Sequence, residues 1–327
     1  MSPSAPIDLT PPREYAFLIA VDISDGDGWT AEESLEELAS LADTAGAEVV
    51  GAEWQRRRHI DPNWYMGKGK VQELREAKRQ TGFSLLIADD ELSPKQQKAL
   101  EETLEVKVLD RSGLILDIFA QHARTHEGRL QVELAQLEYQ LPRLTRMWTH
   151  LSRTGGGIGT RGPGETQLET DRRVIRGRIK KLKERVEHVR QQRETAGRSR
   201  DRRLVPSVAI VGYTNAGKSS LLNALSGREA ARAEDQLFAT LDPTSRQVKL
   251  GDGQSVVLTD TVGFIHKLPH QLVDAFRATL EEVNRADLLL EVVDGADAHA
   301  REHRDTVQTV LDELGAGDKP RVVALNK

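Results

Sequence analysis

The residues best suited to chemistry form a glycine-rich run in the second half of the chain. Residues 212–219 match the spacing G-x-x-x-x-G-K-[ST] completely, after the apolar run 208–211 and before a helix-forming segment. Glycines let the backbone curl so that N–H groups point at phosphates, and the following helix adds its positive N-terminal end. The pattern predicts nucleoside triphosphate binding by Gly212, Tyr213, Thr214, Asn215, Ala216, Gly217, Lys218 and Ser219.

The last two residues of this run have distinct predicted roles. Lys218 should reach the β- and γ-phosphates, and the Ser219 hydroxyl should bind Mg²⁺. Downstream, the strand-like run 255–259 ends in a D-x-x-G motif, in which Asp260 can hold the Mg²⁺ shell and the Gly263 N–H can approach the γ-phosphate. We therefore include Asp260, Thr261, Val262 and Gly263 in the predicted nucleotide site.

The segment between these motifs is where a switch loop would supply a second Mg²⁺-binding hydroxyl. Thr240 is our choice for that hydroxyl, and Thr244 remains the alternative. The predicted metal ligands are Ser219, Thr240 and Asp260, and the predicted catalytic residues are Lys218, Thr240 and Gly263. The nucleotide site also includes Phe238, Ala239, Leu241 and Asp242.

Two further positions bear on hydrolysis and base selection. Phe264 follows the D-x-x-G, where Ras-like GTPases carry a glutamine that orients the attacking water. An aromatic ring cannot align water, so we expect slow intrinsic hydrolysis that depends on a partner. Asn326 and Lys327 match the start of the guanine-reading motif N-K-x-D. The sequence ends before its aspartate, so we expect a truncated nucleotide domain and leave adenine as an alternative base.

These motifs must be positioned by strands and helices that alternate along most of the chain. Strands are predicted at 15–21, 47–51, 84–88 and 106–109, with helices between them, which indicates a small parallel α/β sheet. Repeated β-α units after residue 206 indicate a doubly wound sheet with the phosphate site at its carboxyl edge. The acidic run 89–91 follows a strand and is interpreted as a solvated strand end rather than a metal site.

A basic segment separates the two sheets. Residues 141–205 contain 18 Lys and Arg against 7 Asp and Glu, a local charge of +11 in a chain whose net charge is −5. Apolar residues at helical spacing predict two long helices that pack as an antiparallel pair around a glycine-rich loop at 153–164. Because arginine beside a stackable aromatic residue suits phosphates and unstacked RNA bases, we predict RNA contacts, with a merely flexible hairpin tip as the alternative. They fall at Arg143, Arg146, Arg153, Arg161, Arg172 and Arg173.

The bulk composition narrows the class of protein. The chain has 327 residues, of which 30% are charged, and it has no cysteine, so disulfides and zinc thiolate sites are excluded. No stretch approaches the ~20 apolar residues of a membrane span. The Pro- and Ser-rich residues 1–13 lack the apolar core of an export signal, and we expect them to be a disordered leader. A cytoplasmic protein without a membrane span is therefore expected.

Together these motifs resemble the HflX family of translational GTPases. The resemblance runs from about Ser34 to the end. Besides the P-loop, it rests on six stretches: residues 48–51, 65–70, 89–94, 155–173, 238–244 and 260–264. The most distinctive part is the run Arg-Gly-Pro-Gly-Glu-Thr-Gln-Leu-Glu at 161–169. The resemblance implies a cytoplasmic GTPase that uses GTP, GDP and Mg²⁺, binds the large ribosomal subunit, and splits or rescues ribosomes. It also implies that the hairpin tip faces ribosomal RNA near the peptidyl-transferase centre.

The predicted organisation has four parts. They are the leader at 1–13, an N-terminal α/β domain at 14–110, a helical hairpin at 111–205 and a P-loop GTPase domain at 206–327, incomplete at its C-terminus. We expect a monomer that does not bind DNA. Two alternatives stay open from the residues: an ATP-driven RNA or ribosome remodeller, and an RNA-binding module whose nucleotide is a clamp without turnover.

Overall fold

A computed structural model describes most of the chain. The described residues are 14–23, 29–144, 163–200, 205–227, 237–251, 253–269 and 277–327, with the backbone alone at 163–168, 193–200 and 277–279. The predicted leader at 1–13 and residues 153–162 of the glycine-rich loop lie outside them, whereas Pro163 and Gly164 begin a helix. The chain divides into two compact units, the first ending at Arg111 and the second running from Ser112 to Lys327.

The first unit is built around a four-stranded parallel sheet in the order β2-β1-β3-β4. The central strands β1 and β3 are buried and apolar, as expected for a parallel sheet covered by helices. Its elements are β1 Tyr15–Ile23, α1 Ala31–Thr44, β2 Glu48–Arg57, α2 Lys68–Thr81, β3 Leu85–Ala88, α3 Pro94–Leu104 and β4 Lys107–Asp110.

Local signals in the sequence explain most of these boundaries. Thr30 and Ser93 cap α1 and α3, each in a reciprocal capping box with the residue three positions later. Strand β2 is twice as long as the predicted run 47–51, because its second half, at the sheet edge, is almost entirely polar. Such an edge strand lacks the continuous apolar run by which buried strands are recognised.

The acidic run after β3 does not form the solvated strand end that we predicted. Asp89 is fully buried, and its Oδ1 accepts a hydrogen bond from Arg111 Nη2 at 2.8 Å, while Ser34 Oγ donates to its other oxygen. Arg111 also pairs with Glu37 at 2.6 Å. A buried carboxylate requires such partners, so Asp89 belongs to a structural ion network.

The boundary between the units falls after the first residue of α4 Arg111–His122, and the second unit continues with α5 His126–Arg143 and α6 Pro163–Arg200. Helix α4 was not predicted as a separate element. The predicted seams of α5 and α6 do pack together, with Leu130 and Leu134 against Ile179 and Leu182 at the buried centre. Arg178 Nε donates to Glu133 at 2.7 Å across this pair.

The two hairpin helices run in opposite directions. The start of α5 is hydrogen bonded to the P-loop domain through Thr125 and Asp242, and the second half of α6 reaches the same domain through Arg190 and Glu281. The C-terminal half of α6 therefore returns toward the end at which α5 began. Within the described residues, these two contacts link the hairpin to the P-loop domain.

The rest of the second unit is a five-stranded sheet in the order β6-β7-β5-β8-β9. Strand β6 pairs antiparallel with β7 and was not predicted, because its sequence is almost entirely polar; the other pairs are parallel, as predicted. The elements are β5 Ser207–Val211, α7 Lys218–Ser226, β6 Thr244–Lys249, β7 Ser255–Asp260, α8 Arg277–Arg285, β8 Leu288–Asp294, α9 Ala300–Glu313 and β9 Arg321–Asn326. Within the described ranges, no helix has both the length and the apolar character needed to cross a bilayer.

The hairpin packing leads to a first prediction. Leu182→Ala removes a side chain that is 2% exposed at the centre of the α5–α6 seam, and we expect it to destabilise the hairpin by about 2–5 kcal/mol. Hydrogen exchange of the α5 and α6 amides measures this loss. Val174→Ala on the same helix is the matched control, because Val174 is 62% exposed. Equal exchange in both variants would show that the seam does not hold the pair together.

Candidate nucleotide-binding site

The predicted phosphate-binding run is the tight connection between β5 and α7. Three of its residues have positive φ angles: Gly212 at 148°, Asn215 at 58° and Gly217 at 94°. A chain with this conformation curls, which lets successive N–H groups face one side. Helix α7 begins at Lys218 immediately afterwards, so its N-terminal end faces the same region.

Glycine is required at both ends of the curl by close contacts as well as by φ. A Cβ at Gly212 would overlap the carbonyl oxygen of Val292 on β8, and one at Gly217 would overlap the Asn326 side chain. Asn326 Nδ2 donates to Ala216 O at 2.9 Å. The structure thus brings the first residue of the predicted base-reading pair onto the P-loop.

Lys218 is buried beneath the curl. Its Nζ donates to the carbonyl oxygens of Gly212 at 3.1 Å and Tyr213 at 2.7 Å. Burial lowers the pKa of Lys218 to about 8, and the nearby Asp260 carboxylate acts in the opposite direction. The ammonium is therefore held at the P-loop backbone with little water to stabilise its charge.

The three predicted metal ligands meet at the N-terminal end of α7. Ser219 Oγ donates to Asp260 Oδ2 at 2.6 Å and lies 2.8 Å from Thr240 Oγ1. Thr244, the alternative to Thr240, is instead the first residue of β6, where it pairs with Asp260 across the strands. The structure therefore brings Thr240, rather than Thr244, to the Ser219 hydroxyl.

This cluster has the chemistry of a magnesium site. The Asp260 side chain is fully buried, and in the described part of the chain its Oδ1 has no hydrogen-bond partner. Burial raises the pKa of Asp260, whereas the Ser219 hydroxyl and the Lys218 ammonium lower it. A buried carboxylate oxygen with spare acceptor capacity, beside two hydroxyls, suits a hard cation that prefers oxygen ligands.

The residue that follows the D-x-x-G pairs directly with the P-loop backbone. Thr214 N–H donates to Phe264 O at 2.7 Å, and Phe264 N–H donates to Gly212 O at 3.1 Å. At Gly263, a Cβ would lie 2.7 Å from Thr214 Cα, so glycine is required. These bonds join backbone groups, and no side-chain pattern in the sequence indicates them.

The Phe264 side chain is 1% exposed, so it packs beneath this segment. Tyr213 contributes a further link, because its hydroxyl accepts a hydrogen bond from the His266 N–H at 2.9 Å. The P-loop and the segment after the D-x-x-G are thus held together by main-chain and side-chain bonds.

The remaining residues of the predicted nucleotide site surround this centre. Phe238 N–H donates to Thr214 Oγ1, Thr261 Oγ1 donates to Ile210 O, and Lys327 Nζ pairs with Asp294 at 3.0 Å. Leu241 and Val262 are buried, and Ala239 is half-buried. The Asp242 carboxylate faces the start of α5, where Thr125 N–H donates to it.

The predicted RNA-contacting arginines are only partly within the described residues. Arg143 lies on α5 with its guanidinium 3.5 Å from the Tyr139 ring centroid, and it donates to Tyr139 O. Arg172 is half-buried and Arg173 is exposed on α6. Arg146, Arg153 and Arg161 lie outside the described residues.

Comparison with known proteins assigns the family. Three sequence families match successive parts of the chain: "GTP-binding GTPase N-terminal" at residues 32–120, "GTP-binding GTPase Middle Region" at 122–200 and "50S ribosome-binding GTPase" at 207–327. The chain is 53% identical over 320 residues to the GTPase HflX of Caldanaerobacter subterraneus, covering 98% of this chain and 74% of that protein. The GTPase HflX of Escherichia coli is 52% identical, covering 90% of this chain and 69% of that one.

The chain belongs to the HflX family of GTPases. The suspected resemblance is thereby confirmed, and with it the predicted class of enzyme and the binding of guanine nucleotides. Among solved structures, SsGBP in complex with GDP is 28% identical with a TM-score of 0.53, covering 96% of this chain and 82% of that one. This likeness supports the α/β fold class that the sequence predicted.

The buried lysine leads to a prediction about protons. If nucleotide phosphates require charged Lys218, a free pKa of about 8 means that GDP binding takes up about 0.9 proton at pH 9 and about 0.1 at pH 7. GDP affinity should therefore fall as pH rises through this range. Calorimetry in buffers of different ionisation enthalpy counts the protons. Lys218→Arg is the matched control, because arginine stays charged at both values; equal uptake in this variant would assign the protons to another group.

Proposed function

We propose that this GTPase binds GTP and GDP with Mg²⁺ at the P-loop and uses the nucleotide to control contact with the large ribosomal subunit. The observation that carries the nucleotide part is the meeting of Ser219, Thr240 and Asp260 at the start of α7. Three segments far apart in sequence supply these oxygens. A chance glycine turn between a strand and a helix does not explain that convergence.

Each residue of the site then has a role that follows from its chemistry. Ser219, Thr240 and Asp260 would hold the magnesium ion, which would supply positive charge to offset that of the phosphates. Lys218 moves its Nζ from the P-loop carbonyls to the phosphates, and the Gly263 N–H approaches the γ-phosphate. The rest of the predicted set, from Phe238 to Leu241 and from Thr261 to Val262, lies beside the site, whereas the Asp242 carboxylate is turned toward α5.

Hydrolysis by this arrangement needs outside help. Phe264 occupies the position after the D-x-x-G, and its buried ring cannot orient an attacking water. We infer that docking on the large ribosomal subunit orders the switch segments and supplies the missing alignment. The description "50S ribosome-binding GTPase" of the family matched at residues 207–327 supports this partner.

The hairpin is the part that we assign to ribosomal RNA. The segment 141–205 carries a local charge of +11, and α6 alone is 38 residues long. A cationic arm of this kind suits phosphate-backbone contact. We infer that it reaches ribosomal RNA in the cytoplasm, and that the nucleotide state sets when the enzyme splits or rescues ribosomes.

The first prediction of this proposal concerns turnover. GTP hydrolysis by the free enzyme should be slow and should rise strongly when separated large subunits are added, whereas small subunits should have little effect. Lys218→Ala should abolish the stimulated rate. An equal rate with and without large subunits would contradict the role of the ribosome, and displacement of labelled GTP by excess ATP would favour an ATP-driven remodeller.

The second prediction of this proposal concerns the positive charge of the hairpin. If six arginines neutralise six phosphates, the affinity for the large subunit falls by about 10³-fold between about 50 and 200 mM salt. Co-sedimentation across salt concentrations in a non-hydrolysable GTP analogue measures this slope. Arg173→Gln should reduce the slope by about one. Arg79→Gln is the matched control, because Arg79 is exposed on α2 of the first unit and should leave the slope unchanged. A flat salt response would remove the argument for RNA contact.

A further inference from the structure

The short segment before β6 is bonded to the P-loop on one side. Phe238 N–H donates to Thr214 Oγ1 at 2.9 Å, and Thr240 Oγ1 lies 2.8 Å from Ser219 Oγ. Phe238, which has a positive φ of 57°, and Leu241 are both 2% exposed. The segment is therefore packed against the nucleotide site through both its backbone and its side chains.

The same segment is bonded on its other side to the base of the hairpin. Asp242 Oδ2 accepts hydrogen bonds from the backbone N–H groups of Arg124 at 2.8 Å and Thr125 at 2.9 Å, and Oδ1 accepts one from the Thr125 hydroxyl. Thr125 in turn caps α5, because its Oγ1 accepts from Gly128 N–H. A carboxylate at a helix N-terminus is favoured by the helix dipole and by the N–H groups that lack partners there.

The packing around this contact is tight. A Cβ at Gly128, in the first turn of α5, would overlap Asp242 Oδ1. Beside it, the rings of Phe119 on α4 and Phe238 meet edge to face, with centroids 4.9 Å apart and an interplanar angle of 80°. The segment that carries Thr240 therefore packs against the corner between α4 and α5.

We propose that Asp242 is a positioning residue, which holds Thr240 at the metal site by anchoring its segment to the N-terminus of α5. This inference rests on the proposed function and specifies how the nucleotide state is transmitted to the hairpin. Thr240 and Asp242 are separated by Leu241 alone, so they span at most about 7 Å. A displacement that carries Thr240 beyond this reach must move Asp242.

The coupling acts in both directions. When the triphosphate and the metal hold Thr240, Asp242 keeps its hydrogen bonds to the start of α5, and the base of the hairpin is fixed. When Thr240 is released, the N-terminus of α5 loses its bonds to the Asp242 carboxylate. By thermodynamic reciprocity, a partner that holds the base of α5 in this arrangement raises the affinity for GTP over GDP by the same factor. The other attachment of the hairpin, Arg190 to Glu281 at 2.7 Å, does not pass through the switch segment.

Hydrogen exchange of residues 123–130 tests the proposal in the full chain. We expect these amides to exchange about 5- to 150-fold more slowly with a non-hydrolysable GTP analogue than with GDP. In Gly128→Ala, which displaces the Asp242 carboxylate without touching the nucleotide site, this difference should disappear while GDP affinity stays the same. Gly177→Ala is the matched control on the same hairpin, because no described heavy atom lies within 4 Å of a Cβ placed there.

A second pair of variants tests the Thr125 hydroxyl, which both donates to Asp242 and caps α5. Thr125→Ser keeps the hydroxyl that donates to Asp242 and should behave like the wild type, whereas Thr125→Val loses it and should behave like Gly128→Ala. In Thr125→Val the ratio of GTP-analogue to GDP affinity, measured by calorimetry, should fall by the factor by which the exchange difference shrinks.

Each outcome decides the question. Identical exchange of residues 123–130 in the two nucleotide states of the wild type would overturn the proposal while leaving nucleotide binding intact. A retained difference in both Gly128→Ala and Thr125→Val would also overturn it, because the contact would not carry the coupling. Absence of heat with either nucleotide would instead overturn the proposed function itself, and this inference with it.

Discussion

The hydrogen bond from the Ser219 hydroxyl to the buried Asp260 carboxylate is the interaction on which the nucleotide half of the molecule depends. Asp260 ends β7 and Ser219 lies in the first turn of α7, so the bond joins two neighbouring units of the sheet at its carboxyl edge. A buried carboxylate is costly unless polar groups or a cation surround it. The hydroxyls of Ser219 and Thr240 and the ammonium of Lys218 gather around it for that reason, and the same requirement creates the magnesium site.

Much of this centre was accessible from the sequence because its signals are local. The P-loop spacing, the D-x-x-G and the seam of α5 with α6 each depend on residue types at fixed intervals, and the structure places these residues together. The sequence itself offers no physical reason to choose Thr240 over Thr244. The structure supplies one, since Thr244 is held in the antiparallel pair of β6 with β7.

The features that the sequence did not indicate depend on contacts between distant segments. The pairing of Phe264 with Gly212 and Thr214 joins main-chain atoms, so residue types carry no trace of it. Asp89 follows an apolar strand in an acidic run, and only its distant partner Arg111 explains why it is buried. The sequence predicted only the first half of β2 and did not predict β6, because both strands lie at sheet edges, where polar residues are tolerated.

The length of the hairpin explains why its base matters more than any single contact along it. Helix α5 has 18 residues and extends about 27 Å at 1.5 Å per residue, and α6 with 38 residues extends about 57 Å. A rotation of a few degrees at the base of such an arm displaces its far end by ångströms, provided that the helices move as one body. The seam of Leu130, Leu134, Ile179 and Leu182 supplies that rigidity. A bond two residues from the metal site, at the root of this arm, is therefore placed where a small change in the nucleotide produces the largest movement of the charged surface.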